Sequence, residues 1–432
     1  MRSPSSKLGT CALMALAGAV AFACLAVAGC SQTAQGPSAA SDSSQSSDAS
    51  GQVEESDLVS NGDPVTAFAA NSAAIELSGD KNACYSPASF YMALAMVAAG
   101  ADGDAQQQMF DALGVQSTEE LDEYCKEQLR EIAVTDETST IEVENSLWSN
   151  VGYTFQAGYQ EAVKEYFDAG AFDVEFGTQQ TNDMIREWIS DKTRGLLEPD
   201  IATDAAMVAM LINTIYFNDN WIEPFAEGET AADTFHAEGG DVQAQFMHNT
   251  TDYGGYIEGD GFTAAQLPFA GGSTCTFYLP DEGTSASELV ETPESVEELL
   301  SATPNSQAQI SWSVPKFSTA SSFDDLVECA KELGMTDVFD PAKGDMFRNM
   351  IVADNSSDMG FYISDAIQET HIDLNELGVE AAAYTALTMR ATSLAPEAQE
   401  VVEFVLDRPF VYSITASNGA PLFIGVVVNP AA

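Results

Sequence analysis

The chain holds three histidines, His236, His248 and His371, and none stands in an H-E-x-x-H or other metal-spaced cluster. His371 adjoins a strand-like segment, where a structural role is expected over that of a catalytic base. No G-x-S-x-G stretch supplies a nucleophile elbow, so a Ser-His-Asp hydrolase has no visible anchor. Gly254-Gly255 and Gly271-Gly272 lack a following Lys-Ser/Thr and read as turns, not phosphate cradles. Carboxylates are paired throughout, so no single pair marks acid–base work. The residues point away from catalysis, metal and cofactor.

One segment carries a pattern of a different kind, that of a strand with two unlike faces. It runs Tyr362-Ile-Ser-Asp-Ala-Ile-Gln-Glu-Thr-His-Ile-Asp-Leu-Asn-Glu-Leu-Gly-Val-Glu-Ala-Ala-Ala-Tyr-Thr-Ala-Leu-Thr-Met-Arg390. A strand ending at Ile372 to Asn375 is expected, with Gly378 breaking it. Beyond Gly378 one alternate set is Val379, Ala381, Ala383, Thr385, Leu387 and Met389, without charge and small near the glycine. The other set is Glu380, Ala382, Tyr384, Ala386, Thr388 and Arg390 and carries both charges. This is the two-faced pattern of a half-buried strand. Glu-Ala-Ala-Ala also has high helix propensity, so periodicity alone leaves helix and fixed strand open.

The elements around that segment follow from composition. Fifteen Lys+Arg against 67 Asp+Glu give a net charge of −52, which repels phosphate backbones and argues against nucleic-acid binding. With 45% apolar residues and only 19% charged, the acidity is a coat on a folded body.

Arg2 and Lys7 precede an uncharged, mostly apolar run from Leu8 to Gly29, ending at Val27-Ala28-Gly29-Cys30. Small residues directly before a cysteine resemble the lipobox of bacterial lipoproteins, which predicts an export signal over 1–29 and lipid on Cys30. An uncleaved membrane anchor is the alternative, because the run is nearly long enough to cross a bilayer. Residues 30–61, rich in Ser, Ala and Asp, are expected to be a flexible tether, and 62–432 one folded domain. That places the protein outside the cell, lipid-anchored at a bacterial surface. Cys84, Cys125, Cys275 and Cys329 are too scattered for a disulfide framework and are expected as buried free thiols.

Helices are expected over Phe68 to Leu77, from Ser86-Pro87 to Gly100, and over Asp102 to Leu113. Thr118 to Ile132, Gly158 to Tyr166 and a capped Asn182 to Gly195 follow. Strands then take over. Met207 to Phe217 is too apolar for a wet face. Gln266 to Phe269 should pair with Thr274 to Pro280, Gln309 to Phe317 alternates, and Phe410 to Val428 forms a hairpin around Ser417 to Ala420. Helices first and strands later predict an α+β protein with large, mainly antiparallel sheets.

Glu376-x-Gly378-x-Glu380-Ala-Ala-Ala-x-Thr385 resembles the hinge of an inhibitory serpin's reactive-centre loop. Tyr85-Ser-Pro-x-Ser89 with its following helix is similar to the family's shutter, and Asn213-Thr-Ile-Tyr-Phe-Asn-Asp-Asn-Trp221 to its central strand and breach. Ile185-x-x-Trp188, Pro315-Lys-Phe317, Leu333 to Asp340, and Arg408-Pro-Phe with Phe423 to Pro430 complete the series in family order. The resemblance implies the serpin fold, helices packed on large sheets with an exposed reactive-centre loop. It also implies suicide inhibition of serine proteases by loop cleavage and insertion.

By the same resemblance the loop hinge is Glu376, Gly378, Val379, Glu380, Ala381, Ala382, Ala383 and Thr385. The shutter and breach are Ser86, Ser89, Asn213, Trp221 and Gln368, the last standing where many relatives have histidine. Family spacing puts the scissile bond at Thr392-Ser393, implying an elastase-like target. Arg390-Ala391 is the alternative for a trypsin-like enzyme, and Met389 and Leu394 would suit a chymotrypsin-like one. The expected partner is thus a serine protease met by a monomer, with membrane contact through the lipid alone. The net charge argues against activation by a heparin-like polyanion. A non-inhibitory serpin that binds a ligand or partner is the competing function; the small-residue hinge argues against it.

Overall fold

Asp63 accepts a hydrogen bond from Thr66 N and Pro64 follows it, so the first helix begins with a capped turn. The computed structural model describes residues 19–27, 58–59, 62–77, 81–354, 360–379 and 401–432. Its helices are α1 (Pro64–Glu76), α2 (Pro87–Gly100), α3 (Gly103–Leu113), α4 (Thr118–Ile132), α5 (Ala157–Phe167), α6 (Gln179–Lys192), α7 (Pro293–Ser301) and α8 (Leu326–Glu332). The helix expected from Asn182 begins earlier, because Thr178 accepts from Thr181 N and caps it.

One eight-stranded sheet contains the central strand β7 (Met207–Asn220), buried almost throughout. On one side β7 pairs with β4 (Ser139–Asn150), whose outer edge carries β3 (Val134–Thr135) and β6 (Gly170–Val174). On the other side lie β15 (Phe361–Leu374) and, outside it, β13 (Phe317–Phe323). Between β7 and β15 run two collinear pieces, β16 (Gly378–Val379) and β1 (Ala19–Val27), each antiparallel to both neighbours.

The second sheet has nine strands. Its order is β17 (Val401–Val405), β12 (Ser306–Pro315), β9 (Gly240–Glu258), β10 (Phe262–Pro268), β11 (Thr274–Pro280), β18 (Phe410–Thr415), β19 (Pro421–Val427) and β2 (Ala83–Tyr85). Strand β8 (Ala231–Ala237) pairs with β9, and a small third sheet joins β5 (Tyr153–Phe155) to β14 (Ile351–Ala353). Apart from the β12–β17 and β4–β6 pairs, every pairing among the described residues is antiparallel. The α+β class with large antiparallel sheets is therefore observed.

Helix α2 is buried along nearly its whole length and packs on β7 and β19, which places it in the core between the sheets. A helix apolar on every face belongs inside a protein, and this one is.

Two expectations change. Strand β4 lies in the first half, so helices and strands interleave; its Ile141-Glu-Val-Glu alternation was hidden among charges. The stretch Gln309 to Phe317 is two strands in different sheets, because the chain passes from β12 to β13 at Lys316, whose N–H bonds Gln245 O at 2.8 Å. The terminal hairpin and the β10–β11 pair form as expected. Leu58 and Val59 already touch the body, where Val59 exchanges two hydrogen bonds with the Asn71 side chain. Cys84, Cys125, Cys275 and Cys329 are buried free thiols, and burial pushes the Cys84 thiol up to about 12.

Candidate functional site

The hinge begins where β15 ends. Asn375 N bonds Gly378 O at 2.9 Å, closing a tight turn, and Leu377 N bonds the Asn375 Oδ1 at 3.0 Å. Gly378 has φ +154°, and a Cβ there would lie 2.1 Å from the Asp219 carbonyl oxygen, so the turn requires glycine. Val379 then pairs with Leu374 on β15 and Asp219 on β7 and is buried. Glu380, Ala381, Ala382, Ala383, Thr385 and both proposed scissile bonds, Thr392-Ser393 and Arg390-Ala391, lie outside the described residues, as does Cys30.

Trp221 closes the top of this slot. Its ring stacks on Phe269 at 4.2 Å, its Nε1 donates to Asn375 O at 3.0 Å, and its N–H donates to Leu377 O at 2.8 Å. Glu376 Oε2 meets Lys316 Nζ at 2.7 Å, while Thr230 Oγ1 donates to Glu376 Oε1 at 2.9 Å. Burial alone would raise the Glu376 carboxyl, but these partners hold it below its ordinary range. Asp219 sits behind the hinge, accepting from Ser139 Oγ at 2.5 Å and Gly271 N at 3.0 Å. Burial pushes its carboxyl up to about 6 despite those bonds, and its Oδ2 has no partner.

Lower in the same sheet, the sequence-derived shutter residues come together. Ser86 caps α2, and its Oγ donates to Leu422 O at 2.8 Å. Ser86 N donates to Gln368 Oε1 at 2.9 Å while Gln368 Nε2 donates back to Ser86 O at 2.9 Å. Ser89 Oγ donates to Asn213 Oδ1 at 2.6 Å, and Asn213 Nδ2 donates to Asn145 Oδ1 at 2.9 Å. Asn213 and Gln368 stand on opposite sides of β1, both paired with Ala21. Ser86 and Ser89, both at the N-terminal end of helix α2, therefore hydrogen-bond the two strands that flank the slot.

His371 is buried on β15, with Nε2 at 2.8 Å from Ser318 Oγ; burial lowers its pKa, partly offset by Asp373. Sequence reasoning missed Lys316, Thr230, Ser139, Asp219 and Asn145. Lys316 stood in the quoted Pro315-Lys-Phe317 motif, but nothing in sequence said that it would reach Glu376. The described residues contain no cluster of His, Cys, Asp or Glu able to hold a metal. No helix among them is long and apolar enough to cross a membrane.

A glycine turn feeds a strand into a slot between two long strands, and a buried helix clamps both walls. The Serpin (serine protease inhibitor) family model matches residues 65–430. This chain is a serpin. Serpin-ZX of Arabidopsis thaliana is 28% identical over 374 residues, covering 82% of this chain and 93% of the relative. Human antithrombin-III is 28% identical over 365 residues, covering 81% of this chain and 76% of its own length. The native-state structure of tengpin, a thermophilic serpin, superposes with a TM-score of 0.74 at 26% identity, covering 85% of this chain and 93% of that one. Serpins are generally protease inhibitors, not enzymes.

Proposed function

We propose that this serpin is a single-use covalent inhibitor of serine proteases. The observation that carries the reading is Val379, already paired on both edges of the slot and followed, after Glu380, by the small, uncharged Ala381, Ala382 and Ala383, with no proline among them. A target's serine oxygen attacks the loop carbonyl, the peptide bond breaks, and the amine of the next residue leaves with a proton. The acylated loop then continues Val379 down the slot and draws the protease with it. Displacing the protease's catalytic groups by ~1 Å costs about a hundredfold in rate, so the acyl bond outlasts the encounter.

The reading carries Thr392-Ser393 as the cleaved bond, with an elastase-like target, and Arg390-Ala391 with a trypsin-like one as the second choice. Residues 31–432, mixed with trypsin, elastase and chymotrypsin, should give an SDS-resistant adduct. The mass of the released C-terminal peptide then names the bond. Turnover of the loop without an adduct would sink the inhibitory assignment in favour of a non-inhibitory serpin.

The same proposal places the protein as a monomer on the outer face of a bacterial membrane, held by lipid on Cys30. Val27-Ala28-Gly29-Cys30 supports this. Labelled palmitate should enter the wild-type chain in a bacterial host and fail to enter Cys30→Ala; equal labelling of both would contradict it.

A further inference from the structure

The hinge rests on one residue of β7. Asp219 lies opposite Val379 of β16 on one edge and opposite Ser139 of β4 on the other. Its side chain reaches the Phe269–Ser273 turn between β10 and β11, where Gly271 N donates to Oδ1 at 3.0 Å. Gly271 covers the carboxyl so closely that a Cβ there would lie 2.7 Å from Oδ2. The same turn is tied to the residues that follow Asp219. Ala270 N donates to Asn220 O at 2.8 Å, and Phe269 stacks on Trp221. Trp221 N in turn donates to Leu377 O in the hinge. Strand β4, the turn and the hinge strand thus meet at a single buried residue.

Its carboxyl is only half satisfied. Oδ1 accepts from Ser139 Oγ and Gly271 N, while Oδ2 has no partner. A neutral acid tolerates one idle buried oxygen far better than a carboxylate does, because an unpaired buried charge is the costlier group. Lys316, the cation that meets the hinge, is taken by Glu376 at 2.7 Å, and that pairing keeps Glu376 below its ordinary range. Beside β4 the ionisable neighbour is Asp136, in the turn before that strand, and it repels a charge on Asp219. The N–H and hydroxyl of Thr138 hold the Asp136 carboxyl below its ordinary value, so it is charged before Asp219 titrates. Gly378, Val379 and the Phe269–Ser273 turn bring no ionisable side chain. Burial raises the Asp219 carboxyl to about 6, against the donors Ser139, Gly271 and Asn220.

We propose that Asp219 is a pH-sensitive lock on the upper end of the slot. Neutral, it binds β4, the Phe269–Ser273 turn and the hinge strand into one unit; ionised, it loosens all three. The lock belongs to the resting hinge, so it stands whether or not the protein traps proteases. Once the top of the slot opens and water reaches Asp219, its carboxyl returns towards the ordinary 3.8. The closed form is therefore fully favoured below that value, loses ground as pH rises from there to about 6, and loses no more above.

Hydrogen exchange on the 432-residue chain at pH 5 and pH 7 tests this, with rates converted to protection factors to remove the chemistry's own pH dependence. The amides of Ala270, Gly271 and Trp221 should lose about tenfold in protection between the two pH values. In Asp219→Asn, the neutral isostere, that loss should shrink to less than about threefold. Ser139→Ala removes one of the two donors to Oδ1 and should deepen the loss beyond the parent's. No loss in the parent, or equal losses in the parent and Asp219→Asn, would overturn the proposal. Should Asp219→Asn fail to fold, a loss in Ser139→Ala no deeper than the parent's would overturn it alone.

Discussion

At the scale of single residues, the account turns on Val379. It is buried in its pairing with Asp219 and Leu374, so an arginine there must carry its charge into the sheet. Stranding a buried charge costs several kcal/mol, and each 1.4 kcal/mol shifts the competition between insertion and hydrolysis tenfold. Val379→Arg should cut adduct yield at least tenfold while the loop is still cleaved; undiminished adduct from this variant would refute the insertion role. Much at this scale was legible beforehand: Ser86, Ser89, Asn213, Trp221 and Gln368 all meet along the slot. What was not legible is the polar support behind them. Asn145 and Ser139 come from a strand distant in sequence, and the pairing of Lys316 with Glu376 is fixed only by where β12 gives way to β13. Asp219 reads as one acid among many until its burial is seen.

At the scale of elements, α1 and α8 carry a titration that the sequence could not announce. Glu76, at the last turn of α1, accepts from the Cys329 thiol of α8 and faces Asp325 and Glu332. Burial pushes its carboxyl up to about 7, and the neighbouring acids add to the shift. A helix C-terminus also disfavours negative charge. Because the folded-state value is raised above the ordinary 4.5, the native fold is favoured in full below that value and loses this contribution as pH rises through about 7. Glu76→Gln should therefore stabilise the protein at pH 8 by on the order of 1–2 kcal/mol and give no gain at pH 4. Thermal melts at the two pH values check this, and an equal shift at both would contradict it. Elements with strong periodicity, such as α2, α4 and β7, were legible in the sequence. Strand β4 was not, because its Ile141-Glu-Val-Glu alternation is short and breaks at Asn145-Ser146.

At the scale of the whole molecule, the first sheet has a place between β7 and β15 into which the hinge strand β16 already reaches. A strand entering between β7 and β15 gains backbone hydrogen bonds on both edges. At ~1 kcal/mol net for each of about a dozen bonds, that is on the order of 10 kcal/mol before apolar burial is added. A native state that forgoes this gain persists through a barrier to rearrangement. The fold class was readable from the strongly periodic elements, although helices and strands interleave where helices first had been expected, and an energy difference between two arrangements of one chain would leave no mark on periodicity. The decisive measurement is the melting temperature of residues 31–432 before and after a single cut between Ala383 and Leu394. A rise of roughly 15 °C or more is expected, since 1 kcal/mol moves the midpoint of a large domain by about 2 °C. An unchanged melting temperature after complete cleavage would contradict it.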